Sequence, residues 1–85
     1  MKNEVLRNNR INFDDGFYMF PDKYVLLGYV EEQDGNIISG VPIATAERYE
    51  RDYIWNLFTQ CLNQKKHGEL FLNYFGDVES VGVYL

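Results

Sequence analysis

The chemistry-bearing residues of this sequence are few, and their scarcity excludes several kinds of site. Cys61 is the only cysteine and His67 the only histidine, so a disulfide within the chain and a thiolate zinc site are both excluded. Neither Ser39 nor Ser80 lies in a glycine-flanked nucleophile elbow. The glycines follow neither the G-x-G-x-x-G nor the P-loop spacing, so we find no phosphate-binding loop. We therefore expect no enzymatic activity, no metal and no cofactor.

Long apolar runs and excess positive charge are also missing. No segment approaches the roughly 18 to 20 apolar residues that span a bilayer, and the first ten residues, MKNEVLRNNR, do not resemble a signal peptide. We expect a soluble cytoplasmic protein without a membrane partner. Thirteen Asp and Glu against eight Lys and Arg give a net charge of −5. Direct nucleic-acid binding is not expected, because phosphate backbones are bound by clustered positive charge.

Large apolar side chains, in contrast, are plentiful. Hydrophobic residues make up 46% of the 85 residues and aromatic residues 16%, which is enough for one core but not for two domains. We predict a single small α+β domain over residues 1–85, in which residues 1–12 form a less regular N-terminal arm.

The segment from Thr45 to His67 has the periodicity of a long helix. Thr45 is the predicted N-cap and Gly68 the predicted left-handed residue after the C-terminus, while Arg48 at N3 leaves the capping box incomplete. The predicted buried arc of this helix contains the apolar residues Ala46, Tyr49, Tyr53, Ile54, Leu57, Phe58 and Cys61.

Two hairpins are predicted to flank this helix, after a first short strand at residues 17–20. Asp34-Gly35 favours a two-residue type I′ turn with Gln33 opposite Asn36, and Gly76-Asp77 a type II′ turn. Strict alternation in the first hairpin places Leu26, Val30, Ile37, Val41 and Ile43 on one face and Val25, Leu27, Tyr29 and Ile38 on the other. The second hairpin places Leu70, Leu72, Val81 and Val83 opposite Phe71, Phe75, Val78 and Tyr84. The order β-β-β-α-β-β predicts a single antiparallel sheet of about five strands packed on one long helix.

Trp55 does not fit this arrangement, because it lies far round the helix from the apolar stripe. One interpretation is that the N-terminal arm covers it through Val5, Leu6, Ile11 or Phe13. The other is that it belongs to a partner or homodimer interface, since Trp and Arg are enriched among residues that dominate binding. That predicted interface consists of Arg48, Arg51, Trp55, Phe58 and Leu62.

The acidic residues form two groups near predicted turns, Asp14 and Asp15 in one and Glu31, Glu32 and Asp34 in the other. They are interpreted either as solvated turn residues or as an acidic contact surface for a basic partner, whose association such charges would accelerate.

These features favour a non-enzymatic protein-protein interaction module. The most specific hypothesis is a small acidic inhibitor or regulator of a host macromolecule such as a nuclease or a bacterial defence protein, of the anti-CRISPR or anti-restriction kind that phages and mobile elements encode. The alternatives are a self-associating structural subunit, as a homodimer, and a small-ligand binder that uses the aromatic residues Tyr18, Phe20, Tyr29 and Tyr74.

Overall fold

A computed structural model of the chain describes residues 9–76 and 81–84, the last four through their backbone alone. The described strands form one antiparallel sheet in the order β1-β3-β2-β4-β5. The α+β class and the single antiparallel sheet are therefore confirmed. The strands are β1 (Ile11–Asn12), β2 (Lys23–Gln33), β3 (Asn36–Glu47), β4 (Phe71–Tyr74) and β5 (Val81–Tyr84), and the helices are α1 (Gly16–Met19) and α2 (Arg51–Gln64).

The predicted first strand at residues 17–20 is wrong. A 3₁₀ turn (Phe13–Asp15) leads directly into α1, and only the two-residue strand β1 occupies the sheet edge beside β3. The aromatic side chains of this segment cover the sheet instead of joining it, because they pack around Phe75. The ring centroids of Phe13 and Phe17 lie 5.4 Å and 4.9 Å from that of Phe75.

The sheet is covered on both faces, so the molecule has two apolar clusters that share strand β2. Helix α2 covers the first cluster, and the 3₁₀ turn and α1 cover the second. Val25, Leu26 and Leu27 are consecutive in β2 and all 0% exposed, because alternate side chains enter opposite clusters. The buried members of the first cluster are Leu26, Ala46, Ile54, Phe58, Cys61, Leu70 and Leu72. Those of the second are Val25, Leu27, Val30, Phe71 and Phe75.

The turn of the first hairpin is as predicted, and Ile43 packs on the side of Leu26 as predicted, but the predicted faces of Val30 and Ile37 are wrong. Asp34 and Gly35 have φ of 53° and 84°, as a type I′ turn requires, and Gln33 pairs with Asn36. A bulge between Gly28 and Glu31 then changes the alternation. Val30 and Ile37 consequently pack in the second cluster, on the side opposite Leu26.

This bulge is held by the loop that follows α2. Tyr29 has a φ of 49°, and its backbone N–H donates to the carbonyl oxygen of His67 at 2.7 Å. The N–H of Val30 donates to the carbonyl of Glu69 at 3.1 Å. The Tyr29 and His67 rings meet edge to face with centroids 6.0 Å apart. The backbone N–H groups of Tyr29 and Val30 are thus bonded to the loop that follows α2.

Residues 70–75 of the second hairpin have the predicted faces, but the strand register does not fit the predicted turn. Leu70 and Leu72 lie in the first cluster and Phe71 and Phe75 in the second. Tyr74 pairs with Val81, whereas a two-residue turn at Gly76-Asp77 would pair Tyr74 with Glu79, so the predicted turn is wrong. Residues 77–80 and the predicted strand end at position 85 lie outside the described residues.

Helix α2 is shorter than predicted at both ends. Thr45 and Ala46 lie in β3, and a 3₁₀ turn (Arg48–Glu50) precedes the helix. A complete capping box is formed by Glu47 and Glu50, in which the Glu47 N–H donates to Glu50 Oε1 at 2.8 Å. Lys65, with a φ of 54°, is the left-handed C-cap in place of Gly68.

The capping box predicts a stability cost for Glu50→Ala. Loss of the Glu50 carboxylate leaves the Glu47 N–H without its acceptor and should lower the free energy of unfolding by about 1 kcal/mol. Urea denaturation measures this, with Gln60→Ala at an exposed position of α2 as the matched control. An equal effect of the two substitutions would show that the box does not hold the turn.

The bulge predicts that Gly28→Ala destabilises the fold. A Cβ at Gly28 would lie 2.8 Å from the Cβ and 3.0 Å from the carbonyl oxygen of His67, and such overpacking costs about 1 to 3 kcal/mol. His67→Gly removes one of these atoms, and glycine suits the φ of 66° at that position. Thermal unfolding should therefore show a smaller effect of Gly28→Ala in the His67→Gly background. Equal effects in both backgrounds would contradict this account of the bulge.

Candidate protein-interaction surface

Trp55 lies on the flank of α2, beside the buried stripe. The stripe consists of Ile54, Phe58 and Cys61, and the residue after Ile54 is rotated by about 100° from it. Trp55 is consequently 45% exposed. Its ring packs against that of Phe58 with centroids 5.7 Å apart, so one side of the indole rests on the core and the other is open.

The described part of the N-terminal arm does not cover Trp55. Ile11 and Phe13 pack in the second cluster, across the sheet from α2. This contradicts the prediction that these two residues fold over the tryptophan. Val5 and Leu6 lie outside the described residues.

The other predicted interface residues on α2 have different environments. Arg48 and Arg51 are exposed, and Leu62 is half-buried against the first cluster. Phe58 is 1% exposed, which corrects its prediction as a contact residue: it supports Trp55 from below and does not reach the surface. The surface part of the predicted set is therefore Trp55 with its two arginines and the edge of Leu62.

Two aromatic residues of this surface were wrongly assigned to the buried arc. Tyr49 is 86% exposed and Tyr53 56% exposed. Tyr49 belongs to the 3₁₀ turn, so the helical phase assumed from Thr45 onward does not apply to it. The Glu47 and Glu50 pair, three residues apart, was the sequence signal for the later helix start.

The outer face of α2 therefore has aromatic side chains at both edges and polar residues between them. Tyr53 and Trp55 are two positions apart and lie about 160° apart around the axis. Asp52, Asn56 and Gln60, all exposed, lie between them. We refer below to Tyr49, Tyr53, Trp55 and the polar residues between them as the outer face of α2.

Side-chain contacts hold the turn that leads into this face. Lys23 is paired with Glu47, and this hydrogen bond raises the pKa of the Lys23 ammonium. The Tyr74 hydroxyl donates to Asp22, which raises the pKa of Tyr74, while the charge of nearby Arg48 acts in the opposite direction. Arg48 and Tyr49 are thus displayed from an anchored turn.

The predicted acidic residues make different kinds of contact in the structure. Glu31 accepts from Ser39 Oγ at 2.8 Å and lies 3.7 Å from Arg10. Glu32 accepts from the Gly35 N–H at 2.7 Å and Asp34 forms the turn, so both have roles in the hairpin tip. Asp14 and Asp15 instead line a cavity of about 320 Å³.

The aromatic residues predicted for a small-ligand site do not converge. Phe20 packs with the second cluster, whereas Tyr74 packs on Tyr24 beside the first, with centroids 4.8 Å apart. Tyr29 contacts His67 at the bulge, and Tyr18 is 86% exposed. Among the described residues, no three His, Cys, Asp or Glu side chains are grouped to hold a metal ion.

Comparison with known proteins identifies no protein similar to this chain. The sequence matches no model of a protein family and no curated protein, and the structure matches no solved structure. None of the helices in the described part of the chain is long and apolar enough to cross a membrane.

Phe58 and Trp55 differ in burial, so we predict that removing their side chains lowers the free energy of unfolding by different amounts. Phe58→Ala should lower the free energy of unfolding by about 3 to 5 kcal/mol, as for buried aromatic residues in general. Trp55→Ala should cost about 1 to 2 kcal/mol, because only part of its surface is removed from water. Denaturant unfolding of both variants measures the difference. A cost for Trp55→Ala that equals that of Phe58→Ala would show that the indole is fully buried.

Proposed function

We propose that the chain is a non-enzymatic protein-binding module that contacts its partner through the outer face of α2. The observation that carries the proposal is the exposure of three large aromatic side chains, Tyr49, Tyr53 and Trp55, along one helix and its leading turn. Trp, Tyr and Arg dominate binding energies because they offer large contact areas together with polar groups. Arg48 and Arg51 supply the guanidinium groups near this face.

The specific function that we propose is inhibition or regulation of a host macromolecule, such as a nuclease or a bacterial defence protein. The size of 85 residues and the net charge of −5 support this proposal. A negatively charged module is attracted to proteins whose own surfaces bind nucleic acid, and such steering accelerates association.

A homodimer is the second candidate. It is favoured by strand β5, which has a strand neighbour on one side only among the described residues. Its sequence, VGVY, contains neither the charges nor the proline that commonly protect an exposed strand edge. The dimer and the inhibitor differ in whether the chain associates without another protein.

The first test is light scattering on the wild type and on Trp55→Glu. We expect the 10.0 kDa wild type and the variant both to be folded monomers, because the outer face of α2 is proposed to bind another protein. Gln33→Glu introduces the same charge at an exposed position of β2, outside the outer face of α2, and serves as the control. A wild-type dimer that becomes a folded monomer only in Trp55→Glu would show that this face binds a second copy instead.

The second test is inhibition of DNA cleavage by purified restriction endonucleases and RNA-guided nucleases. The wild type and Gln33→Glu should slow cleavage by at least one of these enzymes, and Trp55→Glu should not, since a carboxylate at position 55 would be buried in the interface without a partner. Equal inhibition by all three proteins would contradict a role for Trp55, and no inhibition of any enzyme would contradict the specific function.

A further inference from the structure

The cavity of about 320 Å³ lies at the edge of the sheet, between the 3₁₀ turn Phe13–Asp15 and strand β3. Phe13, Ile37 and Ile38 supply its apolar lining. Phe13 and Ile37 pack with the second cluster, so the cavity is on the side of the sheet opposite α2. It is therefore a different surface from the outer face of α2.

A bulge explains why two consecutive residues of one strand line the same cavity. Ser39 pairs with Glu31 and Ile37 with Glu32, so Ile38 has no counterpart on β2. Such an extra residue bends the strand and redirects its side chain. Ile38 is consequently 43% exposed and lines the same cavity as Ile37. Regular alternation would put these two consecutive side chains on opposite faces of the sheet.

The cavity lies at the strongly negative end of the molecule. Asp14 and Asp15 line it, Glu32 is paired with its lining residue Ile37, and Glu31 and Asp34 belong to the same hairpin tip. Among the described cationic side chains, that of Arg10 lies near this end. Its guanidinium already donates to Ser39 Oγ at 2.9 Å and to the Tyr29 carbonyl oxygen at 2.6 Å. Five carboxylates and one guanidinium leave a formal charge of −4 at this end.

We propose that this cavity binds an arginine side chain from a basic segment of a partner protein. An arginine has the two parts that the cavity complements. Its methylene stem can pack on Ile37 and Ile38, as long cationic side chains do on apolar surfaces. Its planar guanidinium can donate to the carboxylates of Asp14 and Asp15 and stack on the Phe13 ring.

The combination of lining residues distinguishes this occupant from others. A divalent cation prefers a shell of six or more oxygen ligands, and the described residues contain no suitable group of three His, Cys, Asp or Glu. A purely apolar occupant would desolvate Asp14 and Asp15 without compensation. An uncharged polar segment would leave the negative charge of this end unbalanced.

The probe for this inference is a fluorescently labelled nine-residue peptide of alternating arginine and leucine. Its matched control replaces every arginine by citrulline, which has nearly the same shape but no charge. We expect the arginine peptide to bind the wild type and the citrulline peptide to bind at least about tenfold more weakly, because charge-assisted hydrogen bonds are lost. Equal binding of the two peptides would overturn the proposal.

Protein variants test whether the peptide occupies the cavity. Asp15→Asn and Ile38→Ser should each weaken binding of the arginine peptide. Asp52→Asn makes the same charge change on exposed α2 and should leave binding unchanged. Equal weakening by Asp15→Asn and Asp52→Asn would reduce the interaction to general attraction by net charge and overturn the site.

Backbone amide NMR spectra complete the test and separate it from the proposed function. Peptide titration should shift the amides of residues 12–15 and 37–38 most strongly, and the same shifts should appear in Trp55→Glu. Shifts centred on α2, or spread evenly over the acidic residues, would overturn the cavity as the binding site. If the light-scattering and cleavage assays show no binding role for the outer face of α2, the peptide-induced amide shifts at the cavity are still expected.

Discussion

Burial of strand β2 from both sides is the constraint on which the rest of the structure depends. Val25, Leu26 and Leu27 are completely removed from water, which requires a cover on each face of the sheet. Residues 9–76 and 81–84 contain one long helix for this purpose, α2. The second cover is built from the 3₁₀ turn, α1 and the aromatic rings of Phe13, Phe17 and Phe20, packed around Phe75. The segment that contains these aromatic rings therefore covers one face of the sheet and does not form a strand of it.

Two of the three register irregularities in the long hairpin then decide what the surface displays. The bulge at residues 28–31 sends Val30 into the second cluster and leaves backbone groups that bond to the loop after α2. The bulge at Ile38 adds a second apolar side chain to the lining of the acidic cavity. Ser39, which is 3% exposed, joins the two regions, because it bonds to both Arg10 and Glu31. The segments of the two bulges are thus connected through one small network of polar side chains.

The sequence allowed prediction of the elements whose signals are local. The Asp34-Gly35 turn needs positive φ at both residues, and that requirement belongs to the dipeptide itself. The faces of β4 followed from alternation because no bulge interrupts that strand within the described residues. The bulges were not predicted, because a single extra residue is specified by partners distant in sequence, such as His67 for Tyr29. The helix start failed for a similar reason: Thr45 is a good cap by type, but β3 continues through it to Glu47.

The same distinction, between features set by local sequence and features set by tertiary contacts, applies to the candidate surfaces. That Trp55 lies outside the buried stripe of the helix follows from angular position alone, and the structure shows that it is 45% exposed there. The exposure of Tyr49 depends on the 3₁₀ turn, and the position of Asp14 and Asp15 beside Ile37 and Ile38 depends on tertiary contacts. The spacing of Glu47 and Glu50 indicates the turn, whereas the position of the two acids could not be derived from spacing. The structure therefore presents an aromatic helix face on one side of the sheet and an acidic cavity on the other.

The most direct measurement of the central claim is acrylamide quenching of tryptophan fluorescence, since Trp55 is the only tryptophan. The account predicts that the native protein is quenched readily, to an extent that does not change with protein concentration, because the indole is open to solvent in the isolated chain. Emission that resists quenching in dilute native protein and becomes accessible only on denaturation would show that the chain itself covers Trp55, and would contradict the outer face of α2 as a free contact surface.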